Sequence, residues 1–169
     1  AGDLDQALSR TRELTSAAAE RGATLVVFPE TWIPGYPAWL DVCRDVALWD
    51  HGPVKRVFAR MAENSVDVAG ESGRALGAIA KDAGVSLVVG VTERVSSGAG
   101  RGTLYNALLT YGSDGTLLNH HRKLVPTAGE RLIHAQGDGS TLAVHDLPIG
   151  RTVGLICWEN YMPLARYAA

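Results

Sequence analysis

The chain has 169 residues, of which 46% are hydrophobic, so it is long enough to bury the core of one ordinary domain. Sixteen basic and eighteen acidic residues give a formal net charge of -2, and no block of like charges suits nucleic acid or an anionic membrane surface. A small neutral ligand fits this composition better.

The two cysteines, Cys43 and Cys157, lie far apart in the sequence and lack Cys-x-x-Cys spacing. This arrangement favours neither a disulfide framework nor a zinc site, and we expect a reducing, cytoplasmic setting. No apolar run approaches the roughly 18 residues that a membrane span requires, and the first residues lack the pattern of a signal peptide. The sequence therefore predicts a soluble protein that is not exported.

An amphipathic helix is predicted over residues 3–21, because apolar or small residues recur there at helical spacing. Asp3 is a plausible cap and Gly22 a plausible stop. The next run, Thr24 to Phe28, is almost wholly apolar, as expected of a strand covered on both faces. It ends at a proline, so Glu30 is predicted to lie at a strand end. Residues 32–39 are rich in proline, glycine and aromatic residues, which indicates a packed loop of the kind that often walls a pocket.

The middle of the chain alternates further helices and strands. Helices are predicted over 54–64 and 71–83, a strand over 85–95, a flexible connection over 96–102, and a hairpin of strands 105–111 and 116–122. A last pair of strands, 141–147 and 152–156, delivers Cys157 at another strand end. This order predicts mixed α/β layering.

Cys157 follows the apolar run 153–156 and precedes a polar group, with a helix predicted from Met162. A nucleophile at such a strand-to-helix turn can stand exposed near backbone amides that stabilise an anion. Position alone favours a buried structural cysteine over a nucleophile, since free cysteine is among the most buried residue types.

Two other charged residues, Glu30 and Lys123, also fall at or near predicted strand ends. A carboxylate can remove a thiol proton, and a buried lysine can stabilise the negative charge that develops after attack. Taken singly, each residue is more often a solvated surface charge.

Three sequence blocks carry a family resemblance: Phe28 to Pro37, His121 to Thr127, and Cys157 to Pro163. In this order they resemble the signature blocks of the nitrilase branch of the carbon-nitrogen hydrolase superfamily. The resemblance extends over nearly the whole chain, including residues 129–132 and 136–140.

The resemblance implies a catalytic triad of Glu30, Lys123 and Cys157, with Glu130 as a second active-site glutamate. Cys157 would attack a nitrile carbon to give a thioimidate, which water would convert to a thioester and then to an acid. This implied chemistry requires no metal and no organic cofactor. The implied partners are a small nitrile and further copies of the same chain in a homo-oligomer.

The residues around the nucleophile bear on the substrate. Cys-Trp-Glu-Asn is typical of nitrilases rather than of the amidase branches, whereas a relative that stops at the amide shares the same motifs. We expect Glu159 and Asn160 to form hydrogen bonds near the nucleophile, and Trp158 to belong either to the pocket wall or to the core. Tyr36 lies in the predicted pocket-wall loop, and His134 stands where family members commonly carry an aromatic residue; all five are candidates for substrate binding.

The implied fold is a four-layer αββα sandwich, of which residues 1–169 form a partial domain that lacks the first strand and the C-terminal half. A catalytically silent fragment or assembly module is the alternative to an enzyme. His120 and His121 are interpreted as ordinary strand residues that point to opposite faces. Cys43 is interpreted as inert packing, and residues 137–140 as a tight turn rather than a phosphate site.

Overall fold

The computed structural model describes residues 2–169, and helices and strands alternate along them. The helices are α1 (Leu4–Glu20), α2 (Gly52–Glu63), α3 (Glu71–Ala83) and α4 (Pro163–Ala168). The strands are β1 (Leu25–Val27), β2 (Ser86–Arg94), β3 (Leu104–Tyr111), β4 (Leu117–Arg122), β5 (His145–Leu147) and β6 (Gly150–Thr152). Short 3-10 helices cover Ala38–Asp41, Ala128–Leu132 and Cys157–Tyr161.

The first four strands form one sheet in the order β1-β2-β3-β4. β1 pairs with β2 in parallel, whereas β2, β3 and β4 are antiparallel neighbours. Parallel strands need a long crossover connection, and the segment between β1 and β2 that contains α2 and α3 supplies it. Helix α1 precedes β1. β5 and β6 form a separate antiparallel hairpin.

Helices α1 and α3 cover one face of the sheet. The apolar face of α3, which includes Leu76 and Ile79, packs against alternate residues of β2 such as Val89 and Val91. Alternation sends the intervening residues to the opposite face, where Val88 forms a second cluster with Leu108 and Ile156. The sheet therefore has a helical layer on one side and the segment leading to Cys157 on the other.

The predicted helices agree with α1, α2 and α3 to within two residues. Asp3 caps α1 by accepting a hydrogen bond from the Gln6 backbone amide (2.9 Å). Gly22 follows the C-cap residue Arg21 and has a φ of 86°, a left-handed conformation that glycine adopts without strain. The mixed α/β architecture, the 105–122 hairpin and the 96–102 connection are likewise confirmed.

Three predictions about strands are wrong. Residues 153–156 form no strand, and β6 ends at Thr152, because among residues 2–169 no neighbouring strand pairs with this extended segment. β5 is also shorter than the predicted 141–147. Further, β1 is not covered on both faces, because Val27 is 61% exposed. This strand also lies at the edge of the sheet.

No helix within residues 2–169 combines the length and the apolar character that crossing a membrane demands.

Candidate active site

Glu30 lies in the turn after β1, and the edge of β2 fixes that turn from both sides. Before the turn, the Phe28 amide donates to the Val88 carbonyl (2.8 Å); after it, the Ile33 amide donates to the Gly90 carbonyl (3.3 Å). The Glu30 side chain keeps 21% of its surface exposed. It is thus held firmly by the backbone while remaining open to the solvent side.

Lys123 follows β4 and is fully buried among carboxylates. Its Nζ donates to Oε1 of Glu30 (2.6 Å) and to both oxygens of Glu130 (2.9 and 3.2 Å). Burial alone would lower the pKa of Lys123, but the hydrogen bonds from its Nζ to Glu30 and Glu130 raise it above the ordinary lysine value. The ammonium therefore stays charged at neutral pH, between two carboxylates.

Glu130 is positioned by the short helix Ala128–Leu132, where it forms a capping box with Thr127. Its carboxylate accepts a hydrogen bond from the Thr127 amide (3.1 Å) in addition to those from Lys123. Burial would raise the pKa of Glu130, yet the donors Lys123 and Thr127 lower it. Glu130 is consequently an ionised, rigid partner for the lysine.

Cys157 begins the short helix Cys157–Tyr161 with a φ of 51°, a conformation that is uncommon for a residue with a side chain. The residue is exposed and carries a free thiol. Sharp turns with positive φ project a side chain away from the backbone, and such outliers cluster at functional sites. Asn160 supports the turn by donating from Nδ2 to the Cys157 carbonyl (2.9 Å).

Glu159 ties the cysteine turn to the lysine segment. One carboxylate oxygen accepts from the Leu124 amide (2.7 Å), and the other accepts from the Ile156 amide (2.6 Å). Nε2 of His121 donates to the same carboxylate at 3.1 and 3.2 Å. The immediate chain neighbours of Lys123 and Cys157 are thus joined through a single buried carboxylate.

Glu30 and Cys157 line the same cleft, which has a volume of about 360 Å³. Its walls come from the open face of the sheet and from the segment before the cysteine. Lys123 and Glu130 lie behind Glu30, linked to the cleft through the Lys123–Glu30 ion pair. The structure therefore brings the four predicted catalytic residues into one region, with the thiol and one carboxylate facing open space.

The predicted substrate-binding residues divide into two groups. Asn160 lines the cleft, and Tyr36 is half-exposed beside Glu30, where burial and the charge of Glu130 raise the pKa of its hydroxyl. Glu159 is completely buried, so it holds the loop and does not face a ligand. Trp158 is 59% exposed and lies against Tyr161 outside the cleft, with ring centroids 5.0 Å apart and ring planes tilted by 38°.

His134 also differs from the expected position. It is buried behind Glu130, with Nε2 at 3.2 Å from the Thr92 hydroxyl, and it does not line the cleft. Burial lowers its pKa to about 4, so the imidazole is neutral at physiological pH. The backbone explains this location: the His134 amide donates to the Glu130 carbonyl (2.7 Å), which turns the chain back towards β3.

Sequence reasoning missed two polar residues at the site. Asn106 of β3 donates from Nδ2 to Oε1 of Glu30 (2.6 Å). His121, interpreted as an ordinary strand residue, is the buried partner of Glu159 described above. Asn106 is a lone amide in a largely apolar strand, and His121 lies beside His120 in a polar one, so neither has a spacing pattern that would single it out.

Comparison with known proteins gives consistent matches over the chain. The carbon-nitrogen hydrolase family model matches residues 1–169. A bifunctional nitrilase/nitrile hydratase from Nicotiana tabacum is 41% identical over 98% of this chain and 46% of its own length. An aliphatic nitrilase from Sinorhizobium fredii (strain HH103) is 40% identical over 98% of this chain and 52% of its own length.

The fold is shared with solved structures. An amidase from Nesterenkonia sp. AN1 superposes with a TM-score of 0.72 at 20% sequence identity, covering 99% of this chain and 57% of the amidase. The chain therefore spans about half the length of the relatives that it matches. The family match over the whole sequence and the identity to these relatives show that the chain belongs to the carbon-nitrogen hydrolase family.

Proposed function

We propose that the full-length protein is a nitrilase that hydrolyses a small organic nitrile to a carboxylic acid and ammonia. The observation that carries this proposal is the arrangement of the cleft: Glu30 and Cys157 face the same space, and the ammonium of Lys123 touches both Glu30 and Glu130. This set contains a nucleophile, a base and a fixed positive charge. Relatives named as nitrilases at about 40% identity support the same reaction class.

In the proposed mechanism, Glu30 accepts the thiol proton of Cys157, and the thiolate attacks the nitrile carbon. The nitrile nitrogen takes up that proton as a thioimidate forms, and Lys123 stabilises the developing negative charge. Water adds to the thioimidate carbon, the carbon–nitrogen bond breaks, and ammonia leaves a thioester. A second water, activated by Glu30 or positioned by Glu130, releases the acid and restores the thiol.

The test is incubation of the full-length protein with aliphatic, aryl and arylacetonitriles, with ammonia as the readout. Cys157→Ala should abolish ammonia release, because the covalent route needs the sulfur. Cys43→Ser, which removes the other thiol, should leave turnover near the wild-type rate. More than trace activity in the Cys157 variant would reject the nucleophile assignment.

An amide-forming reaction is the second candidate, since the Nicotiana tabacum relative is named a bifunctional nitrilase/nitrile hydratase. The two reactions differ at the tetrahedral intermediate, which expels either ammonia or the enzyme thiol. Chromatography of the products distinguishes them: we expect mainly acid. Amide as the dominant product across the panel would replace the nitrilase assignment with the hydratase one.

A further inference from the structure

We propose that Asn106 is a positioning residue that directs Glu30, so that one carboxylate oxygen is anchored and the other is left to accept the thiol proton. The reaction that Glu30 takes part in is taken from the proposed function. The role of Asn106 is argued independently, from the contacts that this residue of β3 makes.

The two oxygens of Glu30 have different surroundings. Oε1 accepts from Nζ of Lys123 and from Nδ2 of Asn106, each at 2.6 Å. Both hydrogen bonds that the Glu30 carboxylate accepts from residues 2–169 end on Oε1, and Oε2 accepts none. The lone pairs of Oε1 are therefore engaged, and Oε2 is the oxygen available for proton transfer in the cleft that Glu30 shares with Cys157.

The lysine alone would not produce this asymmetry. An ammonium is a compact charge with three equivalent donors, so it can pair equally well with either carboxylate oxygen. Asn106 adds a planar donor from a central strand, where the residue is paired with Thr92 of β2 and is 1% exposed. Two donors from different directions fix the rotation of the carboxylate.

Asn106 also fixes the lysine. Its backbone carbonyl accepts from the Lys123 amide (2.8 Å), so the same residue contacts Lys123 through its main chain and Glu30 through its side chain. The relative positions of these two proposed catalytic groups thus depend on one residue of β3.

The side chain of Asn106 is poorly suited to a purely structural role. Its Oδ1 is buried and has no hydrogen-bond partner within the described residues. An unpaired buried acceptor costs folding free energy, and an apolar side chain of similar size would avoid that cost. If Asn106 served only the fold, an apolar replacement would keep or raise the stability and leave the activity unchanged. If Asn106 directs Glu30, the same replacement keeps the stability and lowers the activity.

The experiment compares Asn106→Leu with wild type in the full-length protein. We expect a thermal midpoint equal to or above that of wild type. We expect kcat to fall about 100-fold, as for the loss of general-base assistance, with KM changed by no more than roughly twofold because the asparagine does not line the cleft. Asn119→Leu is the matched control: Asn119 lies on the neighbouring strand β4 and donates only to the Thr141 carbonyl (3.2 Å), so its kcat should stay near wild type.

A second readout does not depend on nitrile turnover. Alkylation by iodoacetamide, followed by peptide mass spectrometry, reports how readily Cys157 is deprotonated, and Cys43 in the same sample is an internal reference. We expect slower alkylation of Cys157 in Asn106→Leu and unchanged alkylation of Cys43. In a Glu30→Ala background, Asn106→Leu should have no additional effect, since the asparagine acts through the glutamate.

The outcomes separate the two claims. Fast alkylation of wild-type Cys157 that slows in Asn106→Leu, with no hydrolysis of any nitrile, would retain the positioning role and reject the proposed function. Wild-type kcat and alkylation in Asn106→Leu would overturn the positioning role. If that variant does not fold, Asn106→Thr takes its place, because a β-branched side chain suits a central strand and is too short to reach Glu30; failure of both variants to fold would assign Asn106 to the sheet and overturn the proposal.

Discussion

At the scale of single residues, the site depends on one ammonium held between two carboxylates. Lys123 is fully buried and contacts Glu30 and Glu130 through one compact group. The planar guanidinium of arginine needs more room and a different donor geometry. Shape, as well as charge, is therefore required at this position.

We expect Lys123→Arg to lower kcat/KM by at least about 100-fold, as for the loss of one preorganised charge donor. Steady-state kinetics of ammonia release measures the effect. Lys81→Arg, on the exposed surface of α3, makes the same chemical change and should be silent. Near-normal kinetics in Lys123→Arg would remove the lysine from the proposed mechanism.

His134 gives the protein a pH dependence that differs from that of its carboxylates. Its pKa falls to about 4 in the folded state from an ordinary value of 6.5, mainly through burial. Between these values the unfolded chain binds a proton that the folded chain does not, so the free energy of unfolding decreases as the pH falls. Glu130 and Glu159 have lowered pKa values and therefore lose their stabilising contribution below about pH 4.5.

We expect His134→Gln to flatten the stability profile between pH 6.5 and 5. Each pH unit within this window is worth up to about 1.4 kcal/mol for one such group. Denaturant titrations at several pH values measure the free energy of unfolding of both proteins. Parallel profiles for wild type and variant would contradict the neutral, buried state of this histidine.

At the scale of elements, close approach between β2 and the Glu30 turn sets the position of the base. A methyl group added at Gly90 would collide with the Pro29 carbonyl and lie 2.6 Å from Cα of Glu30. The turn can approach the strand this closely because glycine has no side chain. The identity of residue 90 therefore controls where Glu30 lies.

Gly90→Ala should destabilise the protein by about 1–3 kcal/mol, the usual cost of overpacking. It should also lower kcat, because the Glu30 turn must move away from the sheet. Gly52→Ala is a suitable control, since a methyl group there meets only the guanidinium of Arg56 at 3.6 Å. Unchanged kcat in a destabilised Gly90 variant would show that the turn relaxes without displacing the base.

Sequence patterns predicted elements to different degrees. The helices follow from spacing within one segment, and α1, α2 and α3 agree with it closely. A strand, by contrast, requires a partner, and residues 153–156 lack one in the described chain despite their apolar composition. The site shows the same division: motifs pointed to Glu30, Lys123 and Cys157, while the Asn106 contact joins residues 76 positions apart and leaves no local pattern.

At the scale of the whole molecule, the face of the sheet opposite α1 and α3 is only partly covered. Val27 of β1 is 61% exposed. Near the C-terminal end, Leu164 and Tyr167 of α4 are 83% and 91% exposed. Isolated exposed apolar residues are normal, but strand edges and apolar side chains exposed together favour association.

We expect residues 1–169, produced without further sequence, to aggregate and to be inactive even though the proposed catalytic residues are present. Catalytic groups must be held to within about 0.5 Å, which requires a complete supporting shell. Light scattering reports the size of the particles, and ammonia release is assayed beside a full-length relative. A monodisperse, active preparation would disprove this prediction and leave the catalytic assignment unchanged.

The hydrogen bonds of Glu159 limit how segments of homologous chains can be recombined. Its carboxylate accepts hydrogen bonds from the amides of Leu124 and Ile156, so the position of the lysine segment depends on the position of the cysteine turn. A recombinant that inherits residues 121–124 from one parent and 156–159 from another should work only if both parents build the same bridge. A gene recombination site placed between residues 124 and 156 would therefore separate two segments that must come from the same parent.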